Sequence, residues 1–244
     1  MDVSGGSGPR EENEVILATL AKAVDALHGA VPAGVEVVLH DIGALPESIV
    51  ALAGHVTGRV VGDPATDLLL EMAVRGRYET VTDYVAQHPT AGTLRCTTTV
   101  IRNSADEPVA VLCVNRAVAF WQALADAAAS MLEPGAPTPT EPLGVALPPR
   151  PAATEAAPSN ERFARSVSEL ADHVLEAAIL RTGKRVSHMR KADKVDVVRE
   201  LQARGFFLLR DSVETAAQAL GVSRFTVYNY LNEIEEADGP AVQP

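Results

Sequence analysis

Arg224, Phe225, Thr226, Tyr228, Asn229 and Asn232 fall within one short stretch of the chain, and all are side-chain types that read the edges of base pairs. An arginine donates two hydrogen bonds to guanine, an asparagine pairs bidentately with adenine, and an apolar edge such as that of Phe225 lies against a thymine methyl. The same stretch carries Val227, Tyr230, Leu231 and Ile234 at helical spacing, so a single helix would have one apolar and one polar face. Ser223 stands ahead of it as an N-cap. Upstream, Ala216, Ala217, Leu220 and Val222 supply small and apolar positions of a preceding helix, and Gly221 supplies a residue able to end it in the left-handed conformation. Small residues where two helices cross, followed by a tight turn, form the pattern of a helix-turn-helix whose second helix enters the major groove. The candidate DNA contacts are therefore Ser223, Arg224, Phe225, Thr226, Tyr228, Asn229 and Asn232. The alternative is a plain helical hairpin whose polar side faces water.

Charge favours the nucleic-acid reading. Residues 181–194, RTGKRVSHMRKADK, hold six Lys or Arg against the single acid Asp193. From residue 160 to 231 there are twelve Lys plus Arg and nine Asp plus Glu, a net of +3, whereas residues 1–159 hold nine and nineteen, a net of −10. Neutralising phosphates releases condensed counterions, so a basic run beside a base-reading helix adds sequence-independent affinity that falls with salt. Arg190, Lys191 and Lys194 are the candidate phosphate contacts. A basic run standing alone is more often a solvated helix face, but this one adjoins the helical pair.

A second polar group occurs in the N-terminal half. His40, Asp41, Ser48, His55, Thr57 and Arg59 punctuate two β-branched runs and a glycine-bearing turn, a setting in which polar groups must be paired or wet. A guanidinium such as Arg59 clamps a carboxylate, Asp41 suits an amine, and the imidazoles donate or accept, which together would suit an amino-acid-like ligand. The competing reading has Asp41 capping the turn, Arg59 paired with it, and both histidines satisfied in the core. Gly54, Gly58 and Gly62 lack the pattern of a phosphate-binding loop and are read as turn or close-approach residues.

Enzyme chemistry is not indicated. There is no GxSxG elbow, and His40, Asp41 and Ser48 make a poor triad because neighbours on a strand point to opposite faces. His28, His40, His55, His88, His173 and His188 show neither HxxxH nor HExxH spacing, so no metal or cofactor is expected. Cys96 and Cys113 lack CxxC spacing and are read as reduced thiols on strands. No apolar run reaches the length of a membrane span, and the N-terminus lacks the order of a secretory signal, which predicts a cytoplasmic protein with no membrane partner.

These residues need elements to position them. With 244 residues, 47% of them apolar, two domains are expected. Residues 14–27 read as an amphipathic helix, and residues 35–41 and 47–54 as a strand pair. Residues 94–103 and 108–117 read as strands joined by the hairpin loop SADE. Residues 63–85 mix a helix capped by Asp63 or Thr66 with a looser stretch through Tyr78 and Tyr84, and an Ala-rich helix from residue 117 either packs on the sheet or pairs with another subunit. Val100, Ile101, Val109, Val111, Val114 and Trp121 are assigned to core. A helix over residues 163–180 carries Val167, Leu170, Val174, Leu175 and Ala178 at helical spacing, for subunit pairing or for covering the helix-turn-helix. The fold class predicted is α+β: a PAS-like antiparallel sheet of about five strands with flanking helices, then an all-α helix-turn-helix domain. Residues 133–160 hold eight of the sixteen prolines and read as an extended, semi-rigid linker. The expected limits are residues 1–12 disordered, 13–132 the PAS-like domain, 133–160 the linker, 161–237 the helix-turn-helix domain and 238–244 a disordered tail.

Residues 37–70, VVLHDIGALPESIVALAGHVTGRVVGDPATDLLL, resemble the signature region of the YheO-like PAS family. Residues 194–231, KVDVVRELQARGFFLLRDSVETAAQALGVSRFTVYNYL, resemble the helix-turn-helix domain of DauR-type transcriptional regulators. The resemblance implies a ligand-sensing domain coupled to a DNA reader, with operator DNA as partner and small nitrogenous metabolites such as D-amino acids as the effector class. A homodimer is expected because one recognition helix reads too few base pairs. The alternatives are a DNA-binding protein whose PAS-like domain is only a dimerisation platform and a small-molecule enzyme.

Overall fold

The computed structural model describes residues 9–131 and 161–238. Helix α1 (Pro9–Gly29) is followed by strands β1 (Val35–Asp41) and β2 (Ile49–Ala53), helix α2 (Asp67–Arg75), strands β3 (Val81–His88), β4 (Gly92–Arg102) and β5 (Pro108–Ala117), and helix α3 (Ala119–Ser130). The five strands form one sheet in the order β2-β1-β5-β4-β3, with every neighbouring pair antiparallel. Period-two alternation gives the sheet two different faces. Val37 and Leu39 of β1 join Ala110 of β5 beneath Leu17, Leu20, Ala21 and Val24 of α1, forming an apolar outer layer. Glu36, Val38 and His40 point the other way, beside Asn115, Cys113 and Val111 of β5.

Three expectations are corrected here. Helix α1 begins at Pro9, so residues 9–12 are helical rather than disordered. The fifth strand, β3, occupies the stretch through Tyr84 that reads from sequence as loose; the register shifts between Val81 and Tyr84, and Asp83 has φ 54°, so the bulge breaks the alternation that would mark a strand. Trp121, expected in the core, is 56% exposed on α3 along with Leu124, and Met131 just after the helix is exposed too. Thr66 rather than Asp63 caps α2, its hydroxyl accepting from the Leu69 N–H.

The C-terminal region comprises α4 (Val167–Arg181), α5 (Lys191–Ala203), α6 (Ser212–Leu220) and α7 (Arg224–Asp238). Leu170, Ala171, Val174, Leu175 and Ala178 of α4 are buried, so α4 covers the core formed by Val197, Val198 and Leu201 of α5, Ala216 and Leu220 of α6, and Tyr230 and Ile234 of α7. Each fully buried leucine or valine in that core contributes about 1.5–3 kcal/mol. Helix α4 starts at Val167 with Ser166 as its cap, four residues later than the sequence pattern suggests. Residues 133–160, expected to form the linker, and residues 239–244 of the expected tail lie outside the described ones, while Asp238 ends α7. The two domains are in contact: one continuous apolar cluster runs from Val38, Ile49, Leu69, Leu70 and Val111 of the N-terminal domain into α4–α7.

Gly221 ends α6 with φ 61° and ψ 44°, and its N–H bonds back to the Ala217 and Gln218 carbonyls. A Cβ there would meet nothing within 4 Å, so the backbone conformation alone demands glycine. Gly221→Asn should therefore cost under about 1 kcal/mol, because asparagine tolerates this region, whereas the β-branched Gly221→Val should cost about 2 kcal/mol or more. Thermal melts of the two variants check this, and equal losses would mean that space rather than φ sets the requirement.

Candidate nucleic-acid interface and buried polar site

On α7 the apolar and polar faces separate as the sequence implies. Val227, Tyr230 and Ile234 are buried, while Phe225 is 73% and Tyr228 54% exposed. Arg224, Asn229 and Asn232 are also exposed and Thr226 half-buried. Ser223 fixes the start of the helix, its hydroxyl accepting from the Thr226 N–H at 3.1 Å. Arg224 is tied by an ion pair of 3.3 Å to Glu214 on α6. The basic segment is less free than its charge suggests. Arg181 pairs with Glu200, Lys184 with Asp193, and Lys191 with Glu233 of α7 at 2.7 Å. Arg185, Arg190 and Lys194 have no ion-pair partner among the described residues. Arg190 is exposed at the N-cap of α5, where its own N–H donates to Asp193 Oδ2.

The six polar residues of the N-terminal half do not form one cluster. Asp41 caps the turn after β1, accepting from the Gly43 N–H at 2.8 Å. His55 faces solvent. His40 and Ser48 are buried and hydrogen-bonded to each other, Nδ1 to Oγ, at 2.8 Å. Thr57 and Arg59 are buried around Glu36, which is wholly inaccessible and shares the inner face of β1 with His40. The Thr57 N–H donates to Glu36 Oε2 at 2.9 Å, its hydroxyl to Oε1 at 2.7 Å, and Asn115 Nδ2 to Oε1 at 3.2 Å. Arg59 donates from Nε to the Thr57 hydroxyl at 3.1 Å and holds Nη2 3.8 Å from Glu36 Oε1. Its partner is thus Glu36, not Asp41. Gly54, with φ 104°, lets the chain pass so close to β1 that a Cβ would lie 2.5 Å from the Val35 carbonyl oxygen.

Residues 10–133 match the YheO-like PAS domain, just over half of the chain. The chain belongs to the YheO-like PAS family. Residues 170–232 match an HTH domain. The chain is 28% identical over 229 residues to the YheO protein of Escherichia coli K12, covering 91% of this chain and 86% of that one. It is 25% identical over 228 residues to a Haemophilus influenzae protein, covering 93% and 94% respectively. It is also 26% identical over 203 residues to the transcriptional regulator DauR of Pseudomonas aeruginosa, covering 82% and 86%. No solved structure matches it. A PAS domain followed by a helix-turn-helix domain makes this YheO-like protein a transcriptional regulator and not an enzyme. Among the described residues no three His, Cys, Asp or Glu converge as a metal site, and no helix is long and apolar enough to cross a membrane.

In this YheO-like domain the inner face of the sheet carries several polar residues that the sequence patterns did not single out. Glu36 and Asn115 are paired across β1 and β5; Tyr84 and Thr98 share a hydrogen bond of 2.8 Å between β3 and β4; Glu161 reaches the same face from the segment before α4, with the apolar Phe163 beside it. Glu36 was legible, since it shares a period-two face with Val38 and His40, and an acid on a buried face demands partners. Burial, helped by the nearby Arg59 charge, holds the His40 imidazole down at about 3, so it is neutral. Burial likewise pushes the Cys113 thiol up to about 12.

Burial also pushes the Glu161 carboxyl up to about 7, against hydrogen bonds from Tyr84 and Thr66 that favour the charged form. The folded protein keeps this proton to about pH 7 while the unfolded chain releases it near its ordinary 4.5, so the group's contribution to stability is lost as pH rises across that window. His40 acts in the opposite sense, its contribution being lost as pH falls from 6.5 towards about 3. Glu161→Gln cannot ionise and should gain stability relative to the unaltered protein between those two Glu161 values, by up to about 3 kcal/mol. Denaturant melts at a series of pH values check this; a difference that stays constant across the window would contradict it.

Proposed function

We propose that this chain is a homodimeric, effector-responsive regulator that acts in the cytoplasm by inserting α7 into the major groove of operator DNA. The observation that carries the reading is the division of α7 into a buried stripe of Val227, Tyr230 and Ile234 and an outward face of Arg224, Phe225, Tyr228, Asn229 and Asn232. A helix that served only to complete a bundle would have no reason to hold a phenylalanine 73% exposed beside an arginine and two carboxamides. Arg224 reaches a guanine after leaving Glu214, and Asn229 or Asn232 reaches an adenine. Arg190 and Lys194, which carry no ion pair among the described residues, supply phosphate contacts, and Lys191 joins them when it leaves Glu233. The exposed Trp121 and Leu124 of α3, with Met131 just after it, offer an apolar face for a second subunit, whose reading helix would then meet the next half-site one turn away.

Two observations favour an effector over a mere dimerisation platform. The inner sheet face is lined by polar groups at its centre, and the Arg59 Nη1 nitrogen is buried there without a hydrogen bond among the described residues. An amino-acid-like ligand would supply a carboxylate to it. An effector that favours one arrangement of the dimer changes operator affinity by its differential affinity for the two arrangements.

Selection of genomic fragments by the purified protein, followed by titration of the best site, tests the DNA reading. Arg224→Ala or Asn229→Ala should cost about 1–3 kcal/mol and relax preference at one base position. Arg190→Ala should weaken all sequences alike and reduce the salt slope by about one. A uniform loss on every sequence for Arg224→Ala would take that residue off the reading face, and no complex with any fragment at low salt would end the proposal.

A further inference from the structure

Four consecutive residues ahead of α4 cross the inner face of the PAS sheet, and each is held there. Glu161 is 5% exposed and hydrogen-bonded with Tyr84 and Thr66. The Arg162 N–H donates to Asp67 Oδ1 at 2.8 Å. The Phe163 ring lies over the Arg59 guanidinium, 5.1 Å from Cζ to centroid, and sits tilted against His88 at 5.8 Å. Ala164 is buried in the apolar cluster that joins the two domains. Ser166, the cap of α4, follows after Arg165. This strap belongs by sequence order to the DNA-binding half but by packing to the PAS half.

Beneath it, Arg59 spends Nε on Thr57 and places Nη2 near Glu36, while Nη1 is buried with no hydrogen bond among the described residues. A buried charged donor without an acceptor is costly, and the face of a phenyl ring replaces only part of what water or a carboxylate would give. Glu36 already accepts two hydrogen bonds from Thr57 and one from Asn115, and of the arginine's terminal nitrogens it is Nη2, at 3.8 Å, that forms the ion pair with it. Nη1 is thus left for an acceptor from outside the chain, and the Phe163 ring stands over the guanidinium that such an acceptor would take.

We propose that the inner face of the sheet is a binding site for a small carboxylate, closed in this state by residues 161–164 of the chain itself, and that the ligand's carboxylate takes Arg59 by expelling Phe163. The site is thus an exchange between an internal occupant and an external one. The inference rests on the sensing reading above and adds its regulation: because the strap leads within two residues into α4, expelling it releases the start of the first helix of the DNA-binding domain from the PAS domain. An internal occupant competes at the high effective concentration of a tethered segment, so the apparent affinity for ligand is reduced by the fraction of time the strap is closed. Weakening the strap should therefore tighten ligand binding, the opposite of what loss of a ligand-contacting residue does.

The test uses the full chain, with sodium acetate as the minimal carboxylate and L- and D-alanine as larger probes, followed by calorimetry and by amide hydrogen exchange. Binding should speed exchange at residues 162–166. Phe163→Ala should bind the probes at least about tenfold more tightly than the unaltered chain. Phe163→Leu, which keeps an apolar filler should the alanine variant be unstable, should move affinity in the same direction by less. Arg59→Gln should bind none of them, with Arg59→Lys as the charge-keeping control. Equal affinity with and without Phe163, or slower exchange at residues 162–166 on binding, would overturn the strap as competitor while leaving effector sensing in place. Failure of Phe163→Ala to bind any of the three probes would overturn the carboxylate site, and with it the Arg59 argument for sensing, but would leave DNA recognition by α7 untouched.

Discussion

Glu36 is a carboxylate with no solvent access in the middle of an apolar strand, and a buried charge survives only with hydrogen bonds and an opposite charge around it. Most of the inner sheet face follows from meeting that demand. Asn115 answers from the neighbouring strand, directly across the β1–β5 pairing. Thr57 answers twice, with its N–H and its hydroxyl, which draws the loop after β2 down over the sheet. That loop comes so close that residue 54 has no room for a side chain. Arg59 is carried in with it, and the arginine in turn gives Phe163 a surface to lie on. The path from a buried acid to the first helix of the DNA-binding domain is continuous and made of short contacts.

The C-terminal domain solves a different problem. Its four helices bury one apolar core, and α4 is the element that closes it, with Leu170, Val174 and Leu175 turned inward. Helix α7 uses one stripe for that core and leaves the other free while the domain rests against the PAS domain through α2 and α5. Docking therefore does not require the reading face. Control by an effector would then act on where the two reading helices of a dimer stand relative to each other, not on whether each is covered.

Charge is distributed to match. Three of the six basic residues in 181–194 neutralise acids of their own domain, Arg181 and Lys184 at Glu200 and Asp193 of α5 and Lys191 at Glu233 of α7. Exposed pairs of this kind are each worth little, so a phosphate can replace the acid at small cost. The net negative charge of the PAS half keeps that half away from the duplex, which leaves the basic side of the C-terminal domain to meet it.

Much of this was written in local residue order. The helix-turn-helix depends on contacts among neighbours: Gly221 must leave α6 left-handed, Ser223 must cap α7, and Val227, Tyr230 and Ile234 must recur on one face, all visible as spacing in a single stretch. Strands β1, β4 and β5 were legible for the same reason, whereas β3 was hidden by the bulge at Asp83 that interrupts its alternation. The polar site was only half legible. Thr57 and Arg59 stood out as polar residues, but Asp41 caps a turn and His55 faces solvent, because proximity in sequence does not fix which face of a sheet or which side of a turn a group occupies. What brought Arg59 to Glu36, and Phe163 from beyond the proline-rich stretch onto Arg59, was pairing between residues far apart in the chain. Spacing along a sequence records local geometry, while the partner of a buried charge is chosen by whichever strand or segment the finished fold sets beside it.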